Sequence, residues 1–139
     1  MSRYIIITPA HNEEAFIENT IRSMVRQSVQ PVKWIVVNDS STDRTSEIVT
    51  RYAPHHPIMK LVNVERARGR HFANKVLAFN RGLAEARDMP HDYIGNLDAD
   101  ISLEQSYYGN ILREFERDSK LGIAGGQVFM KMRDKFVTR

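Results

Sequence analysis

Apolar residues follow two different patterns along this chain, and the two patterns alternate. Short apolar runs rich in β-branched side chains predict strands, and the first two of them, residues 4–8 and 34–37, are predicted to be buried on both faces. Between these runs, apolar residues recur three or four positions apart, which predicts amphipathic helices. The predicted strands are residues 4–8, 34–37, 59–64, 93–97 and 123–130. The four helices are marked by Ile17, Ile21, Met24 and Val25, then by Ile48, Val49 and Tyr52, then by Phe72, Val76, Phe79 and Leu83, and finally by Tyr108, Ile111, Leu112 and Phe115.

Strands that alternate with helices favour right-handed β-α-β crossovers and a mostly parallel sheet covered by helices on both faces. The predicted fold class is therefore α/β, with a Rossmann-like, doubly wound sheet. In the commonest order of such sheets, the first strand lies between the second and the fourth. The carboxyl ends of these three strands then meet at one crevice, which is where doubly wound proteins bind their ligands.

Polar residues follow each of these three strands. They are residues 9–14 after strand 1, Asn38 and Asp39 after strand 2, and Asp98 and Asp100 after strand 4. With the expected strand order, the most polar loops of the chain face a single crevice. This convergence predicts a ligand site at the carboxyl edge of the sheet.

Two of the predicted helices carry capping signals at their starts. Asn12 is suited to cap the first helix, because its side chain can accept a hydrogen bond from a free N–H group of the first turn. Ser102 and Gln105 have the spacing of a capping box for the fourth helix. The sequence therefore predicts helices that begin close to Asn12 and close to Ser102.

The two carboxylates after strand 4, Asp98 and Asp100, are the candidate metal ligands. Divalent cations such as Mg²⁺ and Mn²⁺ prefer oxygen ligands, and they often bind one or two carboxylates together with water and substrate phosphate. For an isolated Asp-x-Asp pair, a solvated acidic turn is the alternative. A calcium loop is excluded, because Leu103 stands where that loop needs glycine and Gly109 where it needs glutamate.

Composition narrows the choice of compartment and partner. The chain has 139 residues, no cysteine and no apolar run long enough to span a membrane. We expect no signal peptide, because the first predicted strand starts at residue 4. We expect a cytoplasmic protein, with the inner face of the membrane as a further location. The formal net charge of +3 suits an anionic ligand. No nucleic-acid partner is predicted, because the aromatic residues have core spacing.

Familiar phosphate-binding loops are absent from the sequence. A glycine-rich turn should follow strand 1 in a dinucleotide-binding protein, but residues 9–14 are Pro-Ala-His-Asn-Glu-Glu. A cation held by Asp98 and Asp100 would neutralise phosphate instead. Asp39 can accept a hydrogen bond from the imide N–H of a base or from a ribose hydroxyl. Its alternative role is that of an Asx-turn residue.

Four segments in this order resemble the donor half of the inverting family 2 glycosyltransferases, which have the GT-A fold. The segments are residues 7–14, 36–43, 80–82 and 97–100. The family often has an aromatic residue at His11, an aspartate at Asn38 and a glycine at Ser40. These departures concern the shape of the loops.

The resemblance implies a role for each candidate site residue. Pro9, Ala10 and Glu14 would line the nucleoside pocket, and Asp39 would bind the base, which in this family is most often uracil. Asp98 would face the ribose and the metal.

On the phosphate side, the resemblance makes Asp100 the direct ligand of Mg²⁺ or Mn²⁺ in a DXD motif. Within the basic stretch of residues 66–75, Lys75 is the preferred nucleotide contact. Arg66 and Arg68 are instead expected on an exposed edge.

The implied reaction is sugar transfer from a nucleotide diphosphate sugar, most often a UDP-sugar, to a hydroxyl of a glycan, a lipid or another acceptor. Such reactions serve polysaccharide or glycoconjugate biosynthesis. The general base of the family lies after the fifth strand, and Asp134 is not expected to supply it. We therefore expect residues 1–130 to form the donor-binding domain and residues 131–139 to be a basic tail that starts a missing acceptor half. We therefore expect this chain alone to transfer sugar weakly or not at all. Peripheral membrane association and a homo-oligomer are further expectations.

Three other functions compete with this interpretation. A non-catalytic module that binds a nucleotide or nucleotide sugar would need no general base. A phosphohydrolase would use Asp-x-Asp as nucleophile and acid, but there the pair normally follows the first strand. A nucleic-acid binder would rely on residues 66–75 and the basic tail.

Overall fold

The computed structural model describes residues 2–65, 72–132 and 135–138. Strands and helices alternate through most of this length, as the apolar pattern predicts. The strands are β1 Tyr4–Ala10, β2 Lys33–Asp39, β3 Met59–Val64, β4 Tyr93–Asn96, β5 Phe129–Met132 and β6 Lys135–Thr138. The helices are α1 Ile17–Val25, α2 Thr45–Tyr52, α3 Phe72–Ala86 and α4 Tyr107–Arg117, with a short 3-10 turn at Ala53–His55.

The first four strands form one parallel sheet in the order β3-β2-β1-β4. Ala10 at the end of β1 lies opposite Asn38 of β2, and Ile7 lies opposite Asn96 of β4. The predicted position of the first strand between the second and the fourth is therefore confirmed. All three carboxyl ends point to the same edge of the sheet.

Apolar side chains cover both faces of the two central strands. On one face, Tyr4, Ile6, Trp34 and Val36 belong to a core cluster that includes residues of α1, α2 and α4. On the other face, Ile5, Ile7, Ile35 and Val37 pack with residues of α3. Since successive side chains of a strand point to opposite faces, only a run without alternation can bury both. The doubly wound architecture predicted from the sequence is thus confirmed.

Helix α3 lies very close to the sheet at Gly82. A β-carbon added at this position would lie 2.6 Å from Cγ2 of Ile7 and 2.8 Å from Cγ2 of Val37. Both of those side chains are fully buried. Glycine is therefore required here by the approach of the helix to β1 and β2.

The capping predictions at Asn12 and at Ser102 are wrong. Helix α1 begins at Ile17, and Asn12 instead has a left-handed φ of 50° and accepts a hydrogen bond from the N–H of Thr42. Helix α4 begins at Tyr107, after Ser106.

Tertiary hydrogen bonds explain why α4 does not start at Ser102. The carbonyl of Gln105 accepts a bond from Ser28 N–H at 2.9 Å, and the carbonyl of Glu104 accepts one from the Gln27 side chain at 2.6 Å. These carbonyls are bound to the segment that follows α1, so the capping-box residues lie in a loop.

The prediction of a fifth strand at residues 123–130 is wrong for residues 123–128, and only Phe129 and Met130 of that range lie in a strand. Residues 121–128 have no regular secondary structure, and Ile123 is 88% exposed. Among the described strands, β5 pairs only with β6, in a separate antiparallel sheet. Three glycines between residues 122 and 126 weaken the local strand preference, and the N–H of Gly126 bonds to the Tyr107 hydroxyl at 2.9 Å.

The fold also bears on the predictions about membrane spans and about Arg66, Arg68 and Asp134. In the described part of the chain, no helix has the length and apolar character needed to cross a bilayer. Arg66, Arg68 and Asp134 lie outside the described residues.

We expect Gly82→Ala to destabilise the protein. Overpacking against Ile7 and Val37 costs about 1–3 kcal/mol, which exceeds the gain of about 1 kcal/mol from replacing a helical glycine by alanine. Urea unfolding should therefore show a lower free energy of unfolding. Gly122→Ala is the control, because its added β-carbon meets nothing within 4 Å. Equal stabilities for the two variants would contradict the close packing of α3.

Candidate functional site

The structure brings the predicted site residues to the carboxyl edge of the sheet. Asp39 ends β2, while Asp98 and Asp100 follow β4, and these two strands flank β1. Neighbouring strands are about 4.8 Å apart, so the ends of β2 and β4 are separated by about 10 Å. This is the crevice expected from the strand order.

Two hydrogen bonds fix the segment that carries the acidic pair. Leu97 N–H donates to the carbonyl of Ile7 at 3.0 Å, which continues the pairing of β1 and β4 past the end of β4. The carbonyl of Ala99 accepts a 2.9 Å bond from the hydroxyl of Thr20, a fully buried residue of α1. Asp98 and Asp100 therefore leave a segment that is anchored to both the sheet and α1.

The loops after β1 and β2 are joined to each other by an interloop network, which we define as the hydrogen bonds between residues 11–14 and residues 39–45. Every residue from His11 to Glu14 takes part. The bonds are His11 Nδ1 to Asp39 O at 2.6 Å, Asn12 N to Ser41 Oγ at 3.0 Å, Thr42 N to Asn12 Oδ1 at 2.8 Å, Glu13 N to Thr45 Oγ1 at 2.9 Å and Glu14 N to Asp43 Oδ2 at 3.1 Å.

Backbone strain accompanies the interloop network. Asn12 and Ser40 have φ values of 50° and 56°, in the left-handed region that residues other than glycine seldom adopt. Ser40 is held there by bonds from its N–H and its hydroxyl to the carbonyl of Val64, at 2.9 and 3.1 Å. Such strain persists only where surrounding contacts fix the backbone, and it is commonest at functional sites.

Asp43 is the anionic centre of the interloop network. Its carboxylate accepts bonds from the N–H and hydroxyl of Thr45, at 2.9 and 2.5 Å, in addition to the bond from Glu14 N–H. Burial tends to raise the pKa of this carboxyl, but the hydrogen bonds from Thr45 and Glu14 outweigh burial and leave the pKa lowered. Asp43 therefore stays ionised and holds both loops.

Asp39 lies at the end of β2, where the interloop network begins. The residue is 7% exposed, and its neighbour Asn38 donates a 2.9 Å bond to Asn63 on β3. A carboxylate that is shielded from water forms stronger hydrogen bonds than an exposed one. Asp39 is thus placed where it can recognise a hydrogen-bond donor.

Glu14, Pro9 and Ala10 were predicted to line a nucleoside pocket. The Glu14 carboxylate is directed to Arg44, whose N–H and Nε lie 3.2 and 3.3 Å from Oε2. Pro9 and Ala10 are buried at the end of β1. All three therefore border the crevice, and their contact with a nucleoside stays a prediction.

Lys75 reaches the crevice from α3, the helix that covers the face of the sheet opposite to α1 and α2. Its Nζ lies 2.7 Å from Oδ1 of Asp98, and the two side chains are 50% and 42% exposed. A partly exposed ion pair of this kind contributes little to stability. Its consequence is positional, because it places a cation beside the acidic pair.

The acidic pair fits a divalent cation through the chemistry of its donors. Asp98 and Asp100 provide hard oxygen ligands, and Asp100 is exposed. Among the residues with described positions, no group of three or more His, Cys, Asp or Glu side chains could enclose a metal ion. Two carboxylates suit a cation that takes its remaining ligands from water and a bound diphosphate.

A separate cavity of about 550 Å³ lies along the outer edge of β4. Residues 93–96, α4 residues such as Phe115, and residues 122–124 line it. Aromatic packing forms part of its wall, since the rings of Tyr93 and Phe115 stack at 4.3 Å. It is distinct from the crevice that holds Asp39 and Asp100.

Sequence reasoning missed the interloop network. From the sequence, residues 40–43 and His11 belonged only to segments that resemble the family, with His11 and Ser40 as departures in the shape of the loops. The signal that could have found the network is the density of short hydrogen-bonding side chains in both loops, since such side chains bond readily to nearby backbone.

Comparison with known proteins begins with the family. Residues 5–138 match the model of the family described as Glycosyl transferase family 2. The chain is 32% identical over 132 residues to the uncharacterized glycosyltransferase EpsJ of Bacillus subtilis, covering 94% of this chain and 35% of that protein. It is 28% identical over 116 residues to the poly-beta-1,6-N-acetyl-D-glucosamine synthase of Staphylococcus epidermidis, covering 84% of this chain and 26% of the synthase.

Solved structures show the same fold. TarS 1–349 of S. aureus, in complex with UDP-GlcNAc, matches with a TM-score of 0.65 and 22% identity, covering 83% of this chain and 31% of that one. The mannosyltransferase PcManGT of Pyrobaculum calidifontis, in complex with GDP-Man and Mn²⁺, matches with a TM-score of 0.61 and 27% identity, covering 82% and 32%. The predicted GT-A type of fold is confirmed. The chain spans between 26% and 35% of the length of these relatives.

We expect Asp43→Asn to weaken the dependence of stability on acid. Because folding lowers the pKa of Asp43, its contribution is fully present above the ordinary value of 3.8 and is lost as the pH falls through 3.8 toward the folded pKa. The free energy of unfolding, measured from neutral pH to about pH 3, should fall more steeply for the wild type than for the variant.

Asp118→Asn is the matched control for this measurement. Asp118 is an exposed carboxylate that accepts a 2.9 Å bond from Lys120 N–H, far from the interloop network. Its variant should retain the wild-type slope. If Asp43→Asn retained that slope as well, the carboxylate of Asp43 would not be the anionic centre of the network.

Proposed function

Because this chain belongs to glycosyl transferase family 2, we propose that it is the donor-binding part of a glycosyltransferase and binds a nucleotide diphosphate sugar in the crevice. The observation that carries the proposal is the position of Asp39 on one side of β1 and of Asp98 and Asp100 on the other. A nucleoside and its diphosphate would span these two sides.

The nucleoside is placed on the β2 side of the crevice. Asp39 accepts a hydrogen bond from the imide N–H of the base, while Pro9, Ala10 and Glu14 border the ring and the ribose. We propose uracil as the base; its imide N–H can donate to the Asp39 carboxylate, as the N1–H of guanine also can. The UDP-GlcNAc complex of TarS supports this choice, and the GDP-Man complex of PcManGT provides the competing base for a test.

The diphosphate is placed on the β4 side. Asp100, with Asp98 beside it, would hold Mg²⁺ or Mn²⁺, a cation that supplies electrostatic stabilisation of a departing diphosphate. The PcManGT complex with Mn²⁺ supports a divalent cation. Lys75, held at Asp98 by its ion pair, contributes a further positive charge to the diphosphate.

The proposed reaction is a single displacement with inversion. An acceptor hydroxyl attacks the anomeric carbon, the bond from that carbon to the diphosphate breaks, and a general base takes the hydroxyl proton. The acceptor is a hydroxyl of a glycan, a lipid or another molecule. We assign the base to no residue of this chain, and Asp134 lies outside the described residues.

A non-catalytic nucleotide-sugar-binding module is the second candidate. It is favoured by the lack of any acidic side chain at the described positions 119–132 and 135–138, which follow α4. Robust transfer of sugar from a UDP-sugar by this chain would exclude the second candidate, because sugar transfer requires a base whereas binding does not.

We expect UDP with Mn²⁺ to bind and stabilise the protein, measured by calorimetry and by thermal unfolding. Asp100→Ala should remove the dependence on Mn²⁺, since it deletes the exposed carboxylate ligand. Asp39→Asn should lower the affinity for UDP by about tenfold or more, because it removes a charge-assisted hydrogen bond. It should also reduce the preference for UDP over GDP.

Asp88→Ala is the control for these variants. Asp88 is exposed and precedes β4, at the opposite end of the sheet from the crevice. It should bind UDP and Mn²⁺ as the wild type does. If UDP bound equally well to the wild type and to the Asp39 and Asp100 variants, the crevice would not be the nucleotide site.

We also expect Lys75→Met to separate cation binding from nucleotide binding. Without nucleotide, the Lys75 ammonium competes with a metal ion for Asp98, so the variant should bind Mn²⁺ several-fold more tightly. The affinity for UDP should fall, because the variant lacks a positive charge beside the diphosphate. Lys60→Met is the matched control, because Lys60 is also 50% exposed and pairs with Glu85 at 2.7 Å, outside the crevice. Unchanged Mn²⁺ affinity in the Lys75 variant would show that the ion pair does not limit access to Asp98.

A further inference from the structure

His11 occupies the position where the interloop network begins. Strand β1 ends at Ala10, opposite Asn38, so Asp39 lies one residue beyond the last backbone pair of β1 and β2. The ring of His11 supplies the next connection, with Nδ1 2.6 Å from the carbonyl oxygen of Asp39. A side chain therefore extends the contact between the two strands by one residue, at the residue proposed to recognise the base.

The hydrogen bond determines the tautomer of the His11 ring. A carbonyl oxygen only accepts hydrogen bonds, so Nδ1 must carry the proton. The other ring nitrogen, Nε2, lies 3.4 Å from the side-chain nitrogen of Asn12. The oxygen of that amide accepts the N–H of Thr42 at 2.8 Å, which turns the NH₂ group of Asn12 toward the ring. An accepting Nε2 and a donating Nδ1 therefore both follow from the neighbours of the ring.

We propose that His11 is a positioning residue for the nucleoside, and this inference rests on the proposed function. By holding the carbonyl of Asp39, the ring fixes the backbone from which the Asp39 carboxylate projects. The next residue, Ser40, has a left-handed φ of 56°, so the chain turns sharply at this point. Loss of the bond would let the end of β2 relax and would misplace the carboxylate relative to the base.

The metal side of the crevice should be independent of His11. Asp98 and Asp100 are held by the bonds of Leu97 to β1 and of Ala99 to Thr20. The inference therefore predicts a selective effect, on the base and not on the diphosphate. A residue with a merely structural role would weaken both.

The first experiment measures the tautomer by ¹⁵N NMR of histidine in the wild-type chain without nucleotide. The His11 ring should carry its proton on Nδ1. His91 is the internal control, because its Nδ1 lies 2.6 Å from the carbonyl oxygen of Met89, outside the crevice, and predicts the same tautomer. An Nδ1 of His11 that carries no proton would overturn the inference whatever the nucleotide affinity.

The second experiment compares affinities for UDP and for inorganic pyrophosphate, each with Mn²⁺, by calorimetry. His11→Leu should lower the affinity for UDP by about tenfold and leave the affinity for pyrophosphate unchanged. His11→Asn should retain affinity close to that of the wild type, because its side-chain nitrogen stands the same number of bonds from the backbone as Nδ1. His91→Leu should bind both as the wild type does.

Two further outcomes separate this inference from the proposed function. If His11→Leu binds UDP as tightly as the wild type, or if His11→Asn is as weak as His11→Leu, the positioning role is wrong while the proposed function stands. If the wild type binds pyrophosphate with Mn²⁺ but no UDP, nucleoside recognition itself is wrong, and the role of His11 falls with it.

Discussion

The parallel pairing of β1 with both of its neighbours is the constraint on which the site depends. Ile5 and Ile7 are buried against α3 while Ile6 is buried on the opposite face, so the register of β1 is fixed by burial on two sides. A slip of one residue would exchange the two faces of the strand. The same register brings the ends of β2 and β4 to either side of Ala10. The geometry of the polar crevice is thus determined by apolar packing in which none of its carboxylates takes part.

The two sides of the crevice differ in how firmly they are held. On the β2 side, the interloop network connects the loops before any ligand binds, so a nucleoside would meet a preorganised surface and less ordering would oppose its binding. On the β4 side, the Lys75–Asp98 pair is half exposed and can exchange partners at little cost. This contrast suits a site in which the base is selected by fixed groups while the diphosphate and cation are accommodated by charges that rearrange.

The sequence predicted the parts of this structure that depend on burial, and failed where hydrogen bonds between distant segments decide. Continuous apolar runs identified β1 and β2, because a strand buried on both faces needs such a run. The predicted cap at Asn12 was wrong because Thr42, thirty positions away, takes the side-chain oxygen. Residues 123–130 were apolar enough to predict a strand, but the glycines there favour an irregular path. The carboxylates were placed correctly at the crevice, since their positions follow from strand ends, whereas the interloop network was not apparent from either loop alone.

Helix α1 connects the β2 side of the crevice with the β4 side. The loop of residues 11–14 leads into its first turn, and Thr20 in its middle binds the carbonyl of Ala99. Just beyond its end, the buried side chain of Gln27 donates to the carbonyl of Glu104 at 2.6 Å and accepts the N–H of Tyr108 at 3.1 Å. The segment from Asp98 to α4 is therefore bonded at two points, to Thr20 within α1 and to Gln27 just after it. Since β4 pairs with β1 alone among the described strands, this helix supplies the second support that the acidic pair requires. The spacing between Asp39 and Asp100 is therefore set by α1 together with the sheet.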